Sequence, residues 1–495
     1  RALHGSRYEL TGRGGARGSD LPGPGSDGGA TDYDVVVIGG GSAGFAAAIR
    51  AVERGASVVM VNAGEIGGTC VNVGCVPSKT LIRAGEARHR ALAHRFDGIE
   101  RRELQVDWAA VRAGKDDLVA ALRTAKYEDV LAGYPEIEYI AARATLAEGG
   151  WVELENGRSI RGRTVIVATG SSPWVPPIPG LAEAGYLDST ALLDVSALPD
   201  SLAVLGAGQV GLELAQAYAR LGVEVTVLAR SRVLSGTDPD VGAEVARHLS
   251  AEGIAIREHV RIERVERDVG GRVLYLVDDA GARSTLHVAD LLTATGRRAN
   301  TAGLGLEKLG VELGPKGEIR VDGSQRTTNP NVFAIGDVTG GPMHVYVAAQ
   351  AGKVAVDAAM GDEARLDLSV LPEVTFTDPA VALVGMTEAE AQEAGHSVRT
   401  SRLSLEHVPR ALAARDTRGF IKLVADGETG RIMGAQIVAP EAGEMIMEPA
   451  LAVRFGLTID DLTSMLHPYL THAEGIKLAA LTFNKDVEKL SCCAV

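Results

Sequence analysis

Four cysteines define the chemistry open to this chain: Cys70, Cys75, Cys492 and Cys493, with no others in 495 residues. A secreted disulfide scaffold is shorter and denser in cysteine. Two tight pairs in a long, otherwise cysteine-free chain point instead to redox or soft-metal chemistry in a reducing compartment, so a cytoplasmic location is expected. The first pair lies in Gly67-Gly68-Thr69-Cys70-Val71-Asn72-Val73-Gly74-Cys75-Val76-Pro77-Ser78-Lys79. Thiols so spaced are expected to lie on one side of a helical turn, where they can close into a small strained disulfide. A basic neighbour such as Lys79 lowers a thiol pKa and keeps a thiolate available. A zinc pair would need further His or Cys at ligand spacing, and none lies nearby. The second pair ends the chain in Leu490-Ser491-Cys492-Cys493-Ala494-Val495. Adjacent thiols there can chelate a soft ion and pass it on by ligand exchange. The competing readings are an incidental exposed pair and a prenylation signal, the latter opposed by the lack of a preceding polybasic stretch.

The elements that must position these thiols follow from hydrophobic pattern. Tyr33-Asp34-Val35-Val36-Val37-Ile38 is a β-branched run suited to a strand buried on both faces of a parallel sheet. Gly39-Gly40-Gly41-Ser42-Ala43-Gly44 follows, then a helical stretch from Phe45 to Arg54 and a strand from Ser57 to Val61. Residues 76–95 and 107–132 have helical composition, and Arg163 to Gly170 returns to strand, ending Ala168-Thr169-Gly170. The pattern then repeats. A strand over Ser201–Leu205 leads into Gly206-Ala207-Gly208-Gln209-Val210-Gly211, a helix over Leu212–Leu221 and a strand over Val223–Leu228, and a later run ends Ala294-Thr295-Gly296-Arg297. Beyond about residue 370 the glycine turns stop. Apolar segments at Val381–Val384, Phe420–Val424 and Ile432–Val438 suggest an antiparallel sheet flanked by helices.

Glycine turns between strand and helix let backbone N–H groups approach a pyrophosphate, whose charge the helix N-terminus favours. Gly39, Gly41 and Gly44, and again Gly206, Gly208 and Gly211, have the spacing for this, so two nucleotide sites are expected. The next strand's end discriminates between ligands, because an acidic residue there holds a ribose 2′-hydroxyl. The second module has Arg230 and Arg232 instead, which suit the 2′-phosphate of NADPH; two solvated surface arginines are the plainer reading. The first module has Asn62, whose amide can bond a ribose hydroxyl.

Composition narrows the class. Hydrophobic residues make up 46% and charged residues 23%, and the net charge is −14. This suits a globular protein with three or four packed units, and its acidity disfavours nucleic acid and anionic lipid as partners. Residues 1–30 are Gly-, Arg- and Ser-rich and read as a disordered leader with no secretory core, a transit peptide being the weaker alternative.

Both glycine turns, the cysteine segment and Ala334-Ile335-Gly336-Asp337 together make residues 31–495 resemble the pyridine-nucleotide disulfide oxidoreductase family. The resemblance implies an α/β fold with two Rossmann-like nucleotide-binding domains, for FAD and NADPH, plus a C-terminal α+β dimerisation domain. It divides the chain into a leader (1–30), an FAD-binding and central domain (31–172 and 296–368), an NADPH-binding domain (173–295) and a dimerisation domain with the double-cysteine tail (369–495). It assigns Ser42, Ala43, Gly68, Thr69, Thr169, Gly170, Gly296 and Asp337 to the cofactor sites, Asp337 to the ribityl chain. Lys79 would lie by the flavin N5 with Glu213 as partner, Cys70 would be the interchange thiol, and Cys75 the thiolate against the flavin.

Two departures select within the family. Members that reduce organic disulfides use a His–Glu acid–base pair, but counting back from Glu474 puts Tyr469 at the histidine position. A phenol with a pKa near 10 is a poor proton shuttle at neutral pH, and His467 reads as structural. With the double-cysteine tail, these departures resemble the members that reduce mercuric ion. The implied reaction is NADPH-dependent reduction of thiol-bound Hg(II) to Hg(0). Cys70, Cys75, Cys492 and Cys493 would be its metal ligands, Tyr186 and Tyr469 would line the site, and each active site would be shared across a homodimer. Residues 1–30 contain no cysteine, so a cysteine-bearing delivery module of the kind many such members carry is not expected there. The alternatives are a thiol–disulfide reductase of the thioredoxin, glutathione or dihydrolipoamide type, and a soft-metal binding protein without turnover. For Tyr186 the alternative is a packed loop aromatic.

Overall fold

The structure, a computed structural model, describes residues 32–489. The expected leader and the Cys492–Cys493 tail lie outside the described residues. The first sheet is built on β1 (Tyr33–Ile38), which pairs in parallel with β2 (Val58–Asn62) on one side. On its other side is β6 (Ser159–Val167), also parallel. Beyond β2 lies β3 (Ile137–Ala141), and beyond β6 the antiparallel β5 (Trp151–Leu154) and β4 (Ala144–Ala147). A seventh strand, Val332–Ala334, returns from far along the chain to pair with β6, which brings Asp337 back to the first module. Val35 to Ile38 and Val58 to Val61 are all buried, as a central parallel sheet covered on both faces requires.

The second module is a smaller parallel sheet in which Ser201–Leu205 lies between Glu224–Leu228 and Asp290–Thr293. A three-stranded antiparallel sheet over residues 260–288 packs beside it, an addition that periodicity did not announce. From residue 373 the chain forms the expected antiparallel sheet, five-stranded, with helices beside it. Among the described residues no helix is long and apolar enough to cross a membrane.

Charge holds the second module to the C-terminal unit. Arg220, at the end of the helix Gln209–Arg220, bonds Glu252 at 2.6 Å and Asp378 at 2.8 Å. Arg418 meets the same two carboxylates and Asp416. Burial alone would raise the Asp378 pKa, but Arg220 and Arg418 outweigh it and hold the carboxyl below its ordinary value. Removing one member of a buried ion cluster leaves the others uncompensated, which costs about 3 kcal/mol. Arg220→Met is therefore expected to lower the unfolding free energy by roughly that amount, read as a lower urea midpoint, and Arg220→Lys to recover part of it. An unchanged midpoint in Arg220→Met would show that the cluster does not hold the two units together.

Candidate active site

Each glycine turn is shaped by one positive φ and one close approach. Gly39 has φ +119°, and a Cβ there would lie 2.2 Å from the Ala168 oxygen; Gly206 has φ +116°, with the Ala294 oxygen at 2.4 Å. Gly44 and Gly211 press the helix onto the turn, since a Cβ at either would fall 1.9 Å from the Gly39 and 2.1 Å from the Gly206 carbonyl oxygen, respectively. The helices α1 (Ser42–Glu53) and Gln209–Arg220 begin with glycine N-caps and no side-chain cap, so their first N–H groups are left for a ligand. Both turns thus fit a dinucleotide pyrophosphate, with Ser42 and Ala43 at the start of α1.

Around the first turn, Asn62 accepts from Gly40 N–H at 3.0 Å and donates to the Gly64 carbonyl and the Tyr139 hydroxyl. Its amide hydrogens are spent within the chain, leaving one oxygen lone pair for a ribose. Asp337 accepts from Ser171 Oγ at 2.7 Å, and Ser171 in turn accepts from Arg297. The Asp337 segment lies against α1, because a Cβ on Gly336 would meet Ala43 Cβ at 3.2 Å. Thr169 and Gly170 cross-bond with Asn300, fixing the crossover between the modules.

The cysteine segment docks directly on the first turn. Gly67 N–H donates to the Gly40 carbonyl at 2.8 Å, and Gly68 touches Gly41. One expectation fails here: the two cysteines do not share a single helical turn. The chain breaks at Gly74 (φ −129°, ψ −107°) into α2 (Gly68–Val73) and α3 (Cys75–Ala93). Positions five apart on one helix would point about 140° away from each other. The break instead brings the two thiols close enough for each to govern the other's protonation. A Cβ at 74 would meet the Thr69 carbonyl oxygen at 2.8 Å, so glycine is required there. Asn72 secures α2 by donating to the Ile66 and Gly68 carbonyls and accepting from Arg123.

Both cysteines are free thiols in this structure, Cys75 exposed and Cys70 half-buried. Their protonation is opposed. The hydrogen bond from Cys70, with help from Lys79 and against burial, pulls Cys75 down to about 6, while Cys70 is driven upward as the member that keeps the proton. Lys79 Nζ lies 2.6 Å from Glu213 Oε2 and 4.7 Å from the centre of the Phe376 ring. The other Glu213 oxygen accepts the Phe376 N–H at 2.9 Å. Gly85 makes this meeting geometrically possible: a Cβ there would come within 2.9 Å of the Ala217 carbonyl oxygen, so α3 and Gln209–Arg220 cross closely.

The remaining expected residues are placed less centrally. Tyr186 is half-buried against the apolar cluster of the second module that includes Leu181, Leu274 and Leu291, just before the helix Ser189–Leu193 that touches α2. Tyr469 is exposed, next to Leu470 at φ +66°. His467 has 5% of its side chain exposed and is held by Glu448 at 2.7 Å, as a structural histidine should be. Arg230 and Arg232 both line a cavity of about 720 Å³ with Gly206, Gly208 and Gly296. Arg232, however, spends its Nη atoms on the Leu234, Ser235 and Thr237 carbonyls.

Sequence reasoning passed over Tyr127, whose hydroxyl lies 3.0 Å from Ser42 Oγ and whose ring meets Phe45 edge-on. It sits in a π-helical turn, Thr124–Glu128, inside what composition read as one helix over 107–132. An aromatic residue in a chain only 4% aromatic was the available signal.

A thiol lowered to about 6 is mostly thiolate above that pH and loses its charge as pH falls through it. Ultraviolet thiolate absorbance in the reduced protein should accordingly appear with a midpoint near pH 6, well under the ordinary thiol value of about 8.5. Cys70→Ala should move the midpoint up more than Lys79→Met does, because the neighbouring thiol is the larger cause. A wild-type midpoint at the ordinary value would exclude a preformed thiolate at Cys75.

Comparison with known proteins accords with this geometry. The family model described as pyridine nucleotide-disulphide oxidoreductase matches residues 33–352, and the model of that family's dimerisation domain matches 371–480. Mercuric reductase of Streptomyces lividans is 47% identical over 94% of this chain and 99% of its own. That of Lysinibacillus sphaericus is 46% identical over 94% and 85%. Among solved structures, the HOCl-induced flavoprotein disulfide reductase RclA of Escherichia coli superposes with a TM-score of 0.81 at 29% identity, covering 90% of this chain and 99% of that one. Its Cu(II) complex gives 0.79 at 30% identity, covering 89% and 98%. The chain belongs to the pyridine nucleotide-disulphide oxidoreductase family.

Proposed function

We propose that this chain catalyses NADPH-dependent two-electron reduction of thiol-bound Hg(II) to Hg(0), with FAD as resident cofactor. The observation that carries the reading is the Cys70–Cys75 pair, one sulfur charged and one protonated, beside a lysine locked by Glu213. Residues 31–172 and 296–368 would hold FAD, through the Gly39–Gly44 turn, Asn62, Gly68, Thr69, Thr169, Gly170 and Asp337. Residues 173–295 would hold NADPH. When bound, FAD supplies the passage of an electron pair from NADPH to the sulfur site.

The chain's own residues handle the ion. The Cys75 thiolate attacks a bis-thiolate Hg(II) complex and displaces one carrier as thiolate. Cys70 then displaces the second carrier, and its proton leaves on that carrier as a thiol. The ion ends between two sulfurs, which suits a soft cation. Once reduced, the metal atom no longer binds thiolate and departs, leaving the pair as sulfur anions. No acid–base group is needed to protonate a leaving sulfur of a disulfide. The exposed phenol of Tyr469 and the sequestered ring of His467 agree with that and speak against the thiol–disulfide reductase reading.

Met447, Leu451 and Phe455 form an exposed apolar stripe at four-residue spacing on the helix Met447–Phe455, and Met465, Leu466 and Leu470 extend it. A surface of this kind suits a second copy of the chain. In the dimer we propose, Tyr469 and the Cys492–Cys493 tail of one protomer serve Cys70 and Cys75 of its partner, and Tyr186 lines the same site. Cytoplasmic placement follows from the need to keep four thiols reduced.

The assay is NADPH oxidation with Hg(II) and excess thiol, set against oxidised glutathione and lipoamide. Turnover is expected with Hg(II) only, and Cys70→Ala or Cys75→Ala should abolish elemental mercury release; release that persists in either variant defeats the proposal. Delivery between protomers has its own test. Heterodimers of a Cys75→Ala subunit with a subunit lacking both tail cysteines should regain part of the activity, and their complete inactivity would rule out transfer across the interface.

A further inference from the structure

We propose that Arg261, paired with Arg230, grips the adenosine 2′-phosphate of NADPH and sets the preference of the chain for NADPH over NADH. The proposal rests on the reading of the second module as the NADPH site and names the cation that completes it. Arg230 and Arg232 are the two cations that adjacency in the sequence offers. Arg232 lines the same cavity as Arg230, but both its Nη atoms are engaged by loop carbonyls at residues 234, 235 and 237. Its place is open to a residue from another strand.

Arg261 fills it. The Val260 N–H donates to the Ala229 carbonyl at 3.0 Å and the His259 N–H to the Ser231 carbonyl at 3.4 Å. These two bonds clip the start of the strand Val260–Asp268 to the segment that bears Arg230. Arg261 and Arg230 line the same cavity of about 720 Å³, which also contains the Gly206 and Gly208 turn. Both side chains are exposed, and neither has a hydrogen bond or an ion pair with any described residue. Arginines nearby do find carboxylates: Arg264 pairs with Glu266 at 2.9 Å and Arg283 with Glu263 at 3.2 Å. The carboxylates that could compete for Arg261 are engaged elsewhere. Glu258 accepts the Val233 N–H at 2.6 Å, and Glu373, the one carboxylate among the described residues lining this cavity, is bonded to His344 at 2.8 Å.

Two unpaired guanidiniums facing one cavity, at the strand end where a carboxylate would read a free 2′-hydroxyl, are matched by a dianionic phosphate. NADH offers no group there, so the pair contributes to discrimination between the two nucleotides and not to binding of the shared parts. Arg261 is thus a specificity-determining residue, remote from the sulfur chemistry.

The test is calorimetric titration of the flavin-loaded protein with NADP+ and with NAD+, in wild type, Arg261→Gln, Arg261→Lys and Arg230→Gln. Arg261→Gln should weaken NADP+ binding by about tenfold, the value of one charge-assisted contact, with NAD+ affinity unchanged and partial recovery in Arg261→Lys. The loss should shrink as salt rises. If Arg261→Gln binds NADP+ as wild type does while Arg230→Gln is weakened, the assignment of Arg261 is overturned. Equal weakening toward both nucleotides also overturns it, since the contact would then lie on a shared part. Wild-type protein that binds NADP+ and NAD+ alike would instead bring down the NADPH reading itself.

Discussion

The bridge from Lys79 to Glu213 is the contact on which the remaining geometry depends. Lys79 belongs to the helix that starts at Cys75, and Glu213 to the helix that starts at the second glycine turn. Glu213 is almost fully buried, so its charge needs the ammonium on one oxygen and the Phe376 N–H on the other. Phe376 belongs to the C-terminal unit, and its ring lies by the same ammonium. One carboxylate therefore ties the cysteine helix, the second nucleotide module and the C-terminal unit together. A buried charge with two partners in fixed directions tolerates little displacement of any of the three.

That constraint gives the thiol pair its asymmetry. Cys75 begins α3, one turn from Lys79, whereas Cys70 sits in α2 across the Gly74 break. The cation and the neighbouring S–H both favour charge on the same sulfur, and the proton stays on the other. Had α2 and α3 been one continuous helix, Cys70 would have pointed away and its hydrogen bond would be lost. The break is thus a functional irregularity, maintained by a glycine where any side chain would strike the Thr69 carbonyl.

The parts legible from sequence were those in which a local rule admits few residues. The glycine turns were readable because positive φ and close approach exclude other side chains, and the strands before them because burial on both faces demands continuous β-branched runs. Lys79 and Glu213 came from family resemblance, since 134 positions separate them and no local pattern links them. The helix break at Gly74 was not readable: glycine occurs 60 times in this chain, and only the backbone shows which one turns a helix. Nor was the π-helical turn at Tyr127, which leaves helical composition intact. Arg232, read as a ligand from its place near Arg230 in sequence, does line the cavity, but its Nη atoms are bonded to carbonyls of the following loop.

The two halves of the chain differ in how they meet charge, and this bears on the order of events. At the sulfur site every ionic group has its partner within the protein: Lys79 with Glu213, the Cys75 sulfur with the Cys70 thiol. Such a site is organised before any ligand arrives, as the proposed exchange of a soft ion between sulfurs would require. At the far end of the nucleotide cavity, Arg230 and Arg261 have no partner among the described residues and remain solvated. Their interaction energy becomes available only when an anionic ligand displaces that water. Preorganisation is concentrated where atoms react and left out where a ligand must be recognised and later released. A chain built this way could bind and discharge its nucleotide each cycle without disturbing the pair of thiols proposed to hold the ion.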